Sequence, residues 1–216
     1  MSSIPSTTEL VSLGAPVALG DGTRIRIRQG HSSDRGLLLR GFERLSPQSR
    51  YRRFLVPIPE LSEGTVRYLT EVDHHDHEAI IAVDEETGEG VGVARYVRDL
   101  KRPDTAEVAV TVIDDWQGRG VGTLLVEVLS ARAREEGITT FTALMLANNS
   151  DMMDMLSRLG PVRIVDQEAG TVEIEMSIPK IGLAPALKKL LRIAARDDVV
   201  VPPGGRQRAG RIAPQR

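Results

Sequence analysis

The segment Trp116–Gly122, with the sequence WQGRGVG, joins a β-rich run directly to the most regular amphipathic helix of the chain. Its three glycines let the backbone approach a ligand closely, and the first N–H groups of a helix have no partner inside the helix. A helix N-terminus also carries a partial positive charge. Together these features predict a site for an anion such as a diphosphate. The helix that follows presents one apolar stripe: Val121, Leu124, Leu125, Val128 and Leu129.

Other phosphate-binding motifs do not fit this segment. A P-loop has Lys and then Ser or Thr after its last glycine, and a dinucleotide-binding fold has GxGxxG, and the segment has neither. The side chain of Arg119 adds a fixed positive charge, which favours an anion site. The alternative is a tight strand-to-helix turn that binds nothing.

On both sides of this segment, apolar residues alternate with the period of strands or recur with the period of helices. Helices are predicted from Ser33, from Ser46-Pro47, from Ser62, over 121–136 and over 152–159. Strands are predicted over 24–28, 79–83, 91–97, 106–113, 139–146, 162–165 and 172–178. This order predicts a single α/β domain: a mixed, mostly antiparallel central sheet of about seven strands, with about four helices on its faces.

The ends of the chain differ in composition from the middle. Residues 1–20 are predicted to be a flexible leader, and residues 21–179 the folded domain. Residues 180–216 carry nine Lys or Arg against two Asp and are predicted to form a basic helix and then a disordered tail. The leucines of the helix over 183–195 indicate a homodimer contact as one option. Because the rest of the chain is acidic, only the tail favours contact with nucleic acid.

Composition excludes several classes of protein. The 216 residues include no Cys, so disulfides, thiolate nucleophiles and Cys-bound zinc are excluded. No apolar run approaches about 18 residues, and the N-terminus lacks a basic-then-apolar signal. We therefore expect a cytoplasmic protein with no membrane contact. Only seven aromatic residues are available to stack on nucleic-acid bases.

The pattern Gln117-x-x-Gly120-x-Gly122, between a strand and an apolar-faced helix, resembles the acyl-CoA pyrophosphate loop of the GNAT superfamily of N-acetyltransferases. The spacing from Asn149 to Leu159-Gly160 matches that superfamily's next helix, and the similarity covers residues 21–179. The resemblance implies that acetyl-CoA is the cosubstrate and that no metal is needed. The residues implied to bind acetyl-CoA are Val112, Ile113, Gln117, Gly118, Arg119, Gly120, Val121, Gly122, Thr123 and Asn149.

Two further stretches, AEVAV at Ala106–Val110 and LSPQSRY at Leu45–Tyr51, are similar to bacterial Pat-type protein lysine acetyltransferases. That resemblance implies that Glu107 is the general base and that the acceptor is a protein lysine, with a small-molecule amine as the alternative. In one bacterial group, Pat-type proteins carry a cyclic-nucleotide domain ahead of the acetyltransferase domain. A leader of about twenty residues is too short for it, so we expect no such domain here.

The residues around Glu107 suit acetyl transfer to an amine. A lysine amine has a pKa of about 10.4, so a base must remove its proton before it attacks a thioester. Ala109 and Thr111 share a strand face with Glu107 and leave space around its carboxylate. Partial burial would raise the pKa of Glu107 toward that of an effective base. The alternative is an ordinary solvated glutamate.

In this family, the backbone of the strand ahead of the loop holds the thioester, and here Val112 and Ile113 would polarise the acetyl carbonyl. With no Cys to form an acyl-enzyme, direct attack in a ternary complex is expected. The family often has a Tyr seven residues after the helix Asn to protonate the leaving thiolate, but Leu156 stands there. This departure leaves the general acid open and keeps a non-catalytic acyl-CoA-binding regulatory domain as an alternative.

Two polar clusters have more than one interpretation. The loop with His74, His75, Asp76 and His77 could bind a metal, form part of the wall of the site, or be a solvated loop. Solvation is favoured, since crowded residues in one loop seldom surround an ion by themselves. Residues 51–54, with the sequence YRRF, either line the acceptor groove or pack as an amphipathic helix.

Overall fold

A single eight-stranded sheet organises the chain, of which the structure, a computed structural model, describes residues 14–179. Its spatial order is β1-β2-β3-β4-β5-β6-β8-β7. The strands are β1 (Ala15–Ala18), β2 (Arg24–Gln29), β3 (His77–Asp84), β4 (Gly90–Asp99), β5 (Arg102–Val112), β6 (Thr140–Leu146), β7 (Val162–Glu168) and β8 (Thr171–Ser177).

Five α-helices cover the two faces of this sheet. They are α1 (Arg35–Glu43), α2 (Pro47–Phe54), α3 (Glu63–Thr70), α4 (Val121–Glu135) and α5 (Ser150–Leu159). Helices α1 to α3 lie over the face that carries Ala79, Arg95 and Thr111, and α4 lies over the opposite face. Helix α5 packs beside α4. The fold is therefore the predicted mixed, mostly antiparallel α/β domain.

The sheet is incomplete at its centre. Every pair of neighbouring strands is antiparallel except β5 and β6, which are parallel and pair only from Thr105↔Thr140 to Glu107↔Thr142. Past this point β5 continues to Val112 beside β4 alone. One edge of residues 108–112 therefore faces a gap instead of a neighbouring strand. This gap leads toward the loop at Trp116–Gly122.

Helix α4 carries the predicted apolar stripe into the core. All five residues of the stripe are buried, and Leu125, Val128 and Leu129 completely. The helix approaches β4 closely at Gly92, where an added Cβ would lie 3.0 Å from Leu125 Cδ1 and 3.2 Å from the carbonyl oxygen of Thr111. Only glycine lets the backbone of β4 come this near the helix. Burial of the stripe fixes the start of α4 against the end of β5.

The structure corrects the predicted number and limits of the elements. Strand β1 lies inside the segment predicted to be a flexible leader, and it pairs with β2 from Ala15↔Ile27 to Ala18↔Arg24. Its four residues show no clear alternation, so their pairing with RIRIR decides their structure. The sheet thus has eight strands instead of about seven. The five α-helices match the five positions predicted one by one, so the total of about four was too low. Residues 1–13 of the predicted leader and the predicted basic helix and tail at 180–216 lie outside the described residues.

Within residues 14–179, no helix combines the length and the apolar content that crossing a membrane requires.

Candidate functional site

A cleft of about 720 Å³ opens where β5 and β6 diverge. Its walls come from α2, β5, the glycine loop, β6 and α5. Of the residues predicted to act in the site, the structure brings these together around the cleft: Glu107, Val112, Gln117, Gly118, Gly120, Gly122, Thr123 and Asn149. The side chains of Ile113, Arg119 and Val121 are not part of its lining.

The glycine loop presents a run of unpaired amides. Gly118 and Gly120 have positive φ angles of 70° and 87°, a backbone conformation that favours glycine. Gly120 is the N-cap of α4, and the first helical hydrogen bond runs from the Leu124 N–H to its carbonyl oxygen. Inside the described range 14–179, the N–H groups of residues 118–123 have no hydrogen-bond acceptor. Such a cluster at a helix N-terminus suits a negatively charged group.

Arg119 does not point its guanidinium into the cleft, contrary to the prediction. Its Nη2 lies 2.7 Å from Asp21 Oδ2 and donates to Thr23 Oγ1, and its Cζ lies 4.1 Å above the centre of the Trp116 ring. These contacts fasten the glycine loop to the β1–β2 turn. The sequence could not show them, because Asp21 is 98 residues away along the chain. The positive potential of the site therefore comes from helix amides more than from Arg119.

The predicted pair of free backbone groups at Val112 and Ile113 is only half correct. The Ile113 N–H donates to the Val91 carbonyl oxygen at 3.1 Å and is therefore committed to β4. In an antiparallel strand, the N–H and C=O of one residue point to the same neighbour, and those of the next residue point to the opposite side. The N–H and C=O groups of Val110 and Val112 must then point into the gap. Val110 takes the place that the sequence analysis assigned to Ile113.

Gln117 fixes the geometry of the cleft with its side chain. Its Nε2 donates to the Val112 carbonyl oxygen at 3.0 Å and to Ser49 Oγ at 3.3 Å. Ser49 lies in the first turn of α2, whose last turn carries Arg52 and Arg53. Gln117 therefore connects the end of β5, the glycine loop and α2. Its Nε2 is committed to these contacts, and its N–H donates to the Asp114 carbonyl oxygen at 3.1 Å.

Asp114 also holds α2 in place, through contacts at the start of that helix. Its carboxylate accepts hydrogen bonds from the Ser46 N–H at 3.0 Å, Ser46 Oγ at 2.7 Å and Ser49 Oγ at 3.0 Å. The little burial it has would raise the pKa of Asp114, but the hydrogen bonds from Ser46 and Ser49 outweigh this and hold the pKa below its usual 3.8. The ionised carboxylate thus stabilises the folded state.

We expect the stabilisation by Asp114 to disappear in acid. Because the folded-state pKa of this carboxyl is lowered, its contribution is fully present above the unfolded-state pKa of about 3.9 and is lost as the pH falls through the folded-state pKa. Asp114→Asn should lower the free energy of unfolding by roughly 1 kcal/mol at pH 7 and flatten its decline between about pH 5 and pH 2. Urea unfolding measured across this range tests the expectation.

The neighbouring Asp115→Asn is the matched control, since no residue within 14–179 donates a hydrogen bond to that carboxylate. If the free energy of unfolding depended on pH in the same way for Asp114→Asn and Asp115→Asn, the hydrogen bonds from Ser46 and Ser49 would not contribute to stability.

Glu107 lies on the cleft wall with the predicted neighbours and without the predicted burial. It occupies the β5 face shared with Ala109 and Thr111, under α1 to α3, and its side chain is exposed. The expectation that this carboxylate is partly buried is therefore wrong. The charge of Glu107 acts on Arg53: burial lowers the pKa of that guanidinium, and the carboxylate of Glu107 partly offsets the effect. The carboxylate is open to the cleft and to solvent.

Helix α5 supplies the opposite wall. Asn149 is its N-cap, with Oδ1 accepting from the Met152 N–H at 3.4 Å, and its amide nitrogen remains at the cleft. Leu156, at the position where the family often has Tyr, is fully buried and away from the cleft lining. No phenol can reach a leaving thiolate from that position.

Within residues 14–179, the histidine loop lies outside the lining of the cleft, and neighbouring residues hold its side chains. No group of three or more His, Asp or Glu side chains there could hold a metal ion. His74 Nδ1 lies 2.8 Å from Glu78, and His75 Nδ1 lies 2.5 Å from Glu136. The ring of His77 packs on Tyr68, with 5.0 Å between the ring centres. The loop is therefore anchored by side-chain contacts, more than the favoured solvated loop would be.

Sequence reasoning left the role of α2 open and missed three cleft or near-cleft side chains. Arg52, Arg53 and Phe54 line the cleft, which supports the groove interpretation for this helix. Leu144 and Arg158, on β6 and α5, also line it and gave no signal. The third is Arg95, an arginine within the otherwise apolar stretch VGVARYV of β4, which could have been noticed as an exception.

Comparison with known proteins identifies relatives with the same architecture. A model of the family described as "Acetyltransferase (GNAT) family" matches residues 46–160. The GNAT domain of PAT from S. lividans superposes with a TM-score of 0.70 at 34% identity, covering 76% of this chain and 96% of that one. The protein named Acetyltransferase Pat from Mycolicibacterium smegmatis is 32% identical over 176 residues, which are 82% of this chain.

A second curated relative is similar over most of its own length. The Pseudomonas aeruginosa protein named Acetyltransferase PA5475 is 33% identical over 156 residues, which are 71% of this chain and 83% of that protein. By contrast, the chain spans only about half, 52%, of the M. smegmatis Pat protein. The match to the family includes α2, β5, the glycine loop and α5, and therefore all the walls of the cleft.

Proposed function

Because this chain belongs to the GNAT family of acetyltransferases, we propose that it transfers the acetyl group of acetyl-CoA to an amine, with a protein lysine as the acceptor. The observation that carries the proposal is the run of unpaired amides at residues 118–123, which lies at the end of the gap between β5 and β6. These amides suit the diphosphate of the coenzyme, and the gap suits its pantetheine arm. The proposed ligands there are the backbone of Val110 and Val112 and the side chain of Asn149.

In the proposed reaction, Glu107 accepts a proton from the acceptor ammonium, directly or through a water, and the neutral amine attacks the thioester carbonyl. A C–N bond forms, the nitrogen releases its second proton to water, and the C–S bond breaks. The thiolate then takes a proton from water, since Leu156 offers none. The backbone N–H groups of Val110 and Val112 face the gap and would stabilise the oxyanion in the transition state. The carboxylate of Glu107 is exposed on the cleft wall, so an acceptor amine or a bridging water can reach it.

A protein lysine is the proposed acceptor because of the resemblance to Pat-type protein lysine acetyltransferases. The acidic domain favours a cationic acceptor of either kind, so a small amine is the alternative. The test is to incubate the protein with acetyl-CoA and a cell lysate and to map newly acetylated amines by mass spectrometry. Enzyme-dependent lysine acetylation supports the proposal. Turnover only with small amines would overturn the proposal that the acceptor is a protein lysine. No turnover with any amine would overturn the proposed acetyl transfer.

We expect Gly120→Ala to weaken CoA binding about tenfold or more. Gly120 has a φ of 87°, where an L-residue is strained by about 1 kcal/mol, so the loop should relax and turn its amides away from the diphosphate. Loss of one or two charge-assisted hydrogen bonds gives an effect of this size. Isothermal titration calorimetry with CoA measures it.

Gly88→Ala is the matched control, since Gly88 has a φ of 72° in the β3–β4 turn and lies outside the cleft lining. An added Cβ meets no atom within 4 Å at either glycine. If the two variants bound CoA equally well, the geometry of the glycine loop would not determine affinity.

A further inference from the structure

A second, smaller cavity of about 120 Å³ lies between the sheet and helices α1 to α3. Its lining is mostly apolar and includes Phe42, Leu69 and Val93. The cavity shares Arg53, Phe54, Ala109 and Thr111 with the acetyl-transfer cleft. The two spaces are therefore adjacent and meet beside the face of β5 that carries Glu107.

Arg95 projects from β4 into the lining of this cavity. The residue is 5% exposed, and its Nη2 donates to the Leu69 carbonyl oxygen at 2.5 Å. Its Nη1 is buried, and no hydrogen-bond acceptor for it exists in the described part of the chain. Burial, and after it the nearby charge of Arg53, lowers the pKa of Arg95 to about 10. A buried donor without a partner is costly for the folded state.

This arrangement is unlike the other deeply buried arginine of the fold. Arg132 Nη1 and Nη2 lie 2.6 Å from Glu135 and 3.0 Å from Glu136, and its Nε lies 3.3 Å from Glu78. Arg95, by contrast, has no carboxylate within ion-pair distance among residues 14–179, and the charge that acts on it most, that of Arg53, has the same sign. Two guanidinium groups therefore line an apolar cavity, and only Arg53 has a carboxylate of the described residues, that of Glu107, acting on its charge.

Strand register fixes the distance from Arg95 to the proposed base. Arg95 pairs with Ala109, and Glu107 is the next residue of β5 on the same face. Diagonal neighbours of this kind are about 7–8 Å apart. A molecule with an amine at Glu107 and an anionic group several bonds away could thus reach both. Guanidinium groups bind carboxylates with two parallel hydrogen bonds, which favours a carboxylate as that anionic group.

We propose that Arg95 and Arg53 form a subsite for a carboxylate carried by the acceptor, so that the preferred acceptors contain both an amine and a carboxylate. This inference rests on the proposed acetyl transfer. Entry of the carboxylate gives Nη1 of Arg95 its missing partner and neutralises the repulsion between the two arginines. It also holds the amine beside Glu107.

The test uses two acceptors that differ only in the carboxylate: Nα-acetyl-lysine and its methylamide, each with the ε-amine as the only nucleophile. With acetyl-CoA, we expect kcat/KM to be about tenfold or more higher for the free acid, and Arg95→Met to bring this ratio close to one. Arg67→Met is the control, because Arg67 is exposed on α3 and outside both cavities. It should leave the ratio unchanged.

A structural role for Arg95 predicts a different result. In that case Arg95→Met would lower the melting temperature and reduce turnover of both acceptors by the same factor, which overturns the subsite. A third series pairs the methylamide with succinyl-CoA. If Arg95→Met impaired only that donor, the carboxylate would belong to the acyl group, and the acceptor proposal would be wrong. If the wild-type protein turned over both acceptors equally well, the subsite would also be overturned. If it acetylated neither acceptor and no protein in the lysate, the acetyl-transfer function itself would be overturned.

Discussion

Glu107→Gln is expected to slow acetyl transfer at least a hundredfold at neutral pH, with CoA affinity unchanged. A positioned general base commonly contributes 10²- to 10⁴-fold, approximately, and the amide of Gln cannot accept the proton of an ammonium. The coenzyme should bind normally, because the free amides lie at residues 118–123 while Glu107 lies on the β5 wall. Turnover followed by thiol release, together with calorimetry of CoA binding, measures both quantities.

The pH dependence of this variant distinguishes a lost base from a damaged site. Without a base, the reaction depends on the small fraction of amine that is already neutral, which grows tenfold with each pH unit below about 10.4. The residual rate of Glu107→Gln should therefore keep rising toward alkaline pH after the wild-type rate has levelled off. Glu86→Gln makes the same change of charge at an exposed turn and should behave as wild type. Equal rates for wild type and Glu107→Gln would exclude Glu107 as the base.

Arg132→Met is expected to lower the free energy of unfolding by about 3–5 kcal/mol, a large part of the roughly 5–15 kcal/mol typical of a domain. Arg132 on α4 lies beside Glu78 of β3, whose side chain is completely buried. Glu78 also contacts His74 at 2.8 Å, Gln29 at 2.9 Å and its neighbouring Ala79 N–H at 2.9 Å. Removing Arg132 leaves a buried carboxylate without its main counter-ion. Unfolding in guanidinium chloride, monitored by circular dichroism, measures the change in the free energy of unfolding.

The double variant Glu78→Leu/Arg132→Met should recover part of this loss. When both charges are removed, no uncompensated charge remains in the core. Arg134→Met is the control on the same helix: it removes a hydrogen bond to the Ile178 carbonyl oxygen and no buried ion pair. A cost below about 1 kcal/mol for Arg132→Met would mean that His74 and Gln29 stabilise Glu78 without it.

The part of the fold that sequence predicts well depends on short-range patterns. The apolar stripe of α4 and the glycines before it gave both the helix and its free amides, because each depends on residues within about ten positions. Strand β1 could not be found in this way, since four residues without clear alternation become a strand only by pairing with β2.

The same distinction between short-range and long-range contacts applies to the candidate site. Glu107, Gly120 and Asn149 were located because motif spacing defines their places in the cleft. The side chain of Arg119 was misassigned because its partners come from the β1–β2 turn, far away in the sequence. The Ile113 amide was misassigned because hydrogen-bond alternation depends on which residue pairs with Val91. That register is set by the β4–β5 ladder as a whole and not by the local sequence.

The short parallel ladder between β5 and β6 determines which substitutions the proposed pantetheine contact can tolerate. Main-chain atoms of residues 108–112 form this edge, and every amino acid except proline supplies the same N–H and C=O groups. Recognition of the arm is thus independent of which side chains these positions carry, as long as they still fit the core beneath. Substitutions along this edge can therefore accumulate during evolution while the proposed contact with the coenzyme is kept. Proline is the exception, because it removes the backbone N–H.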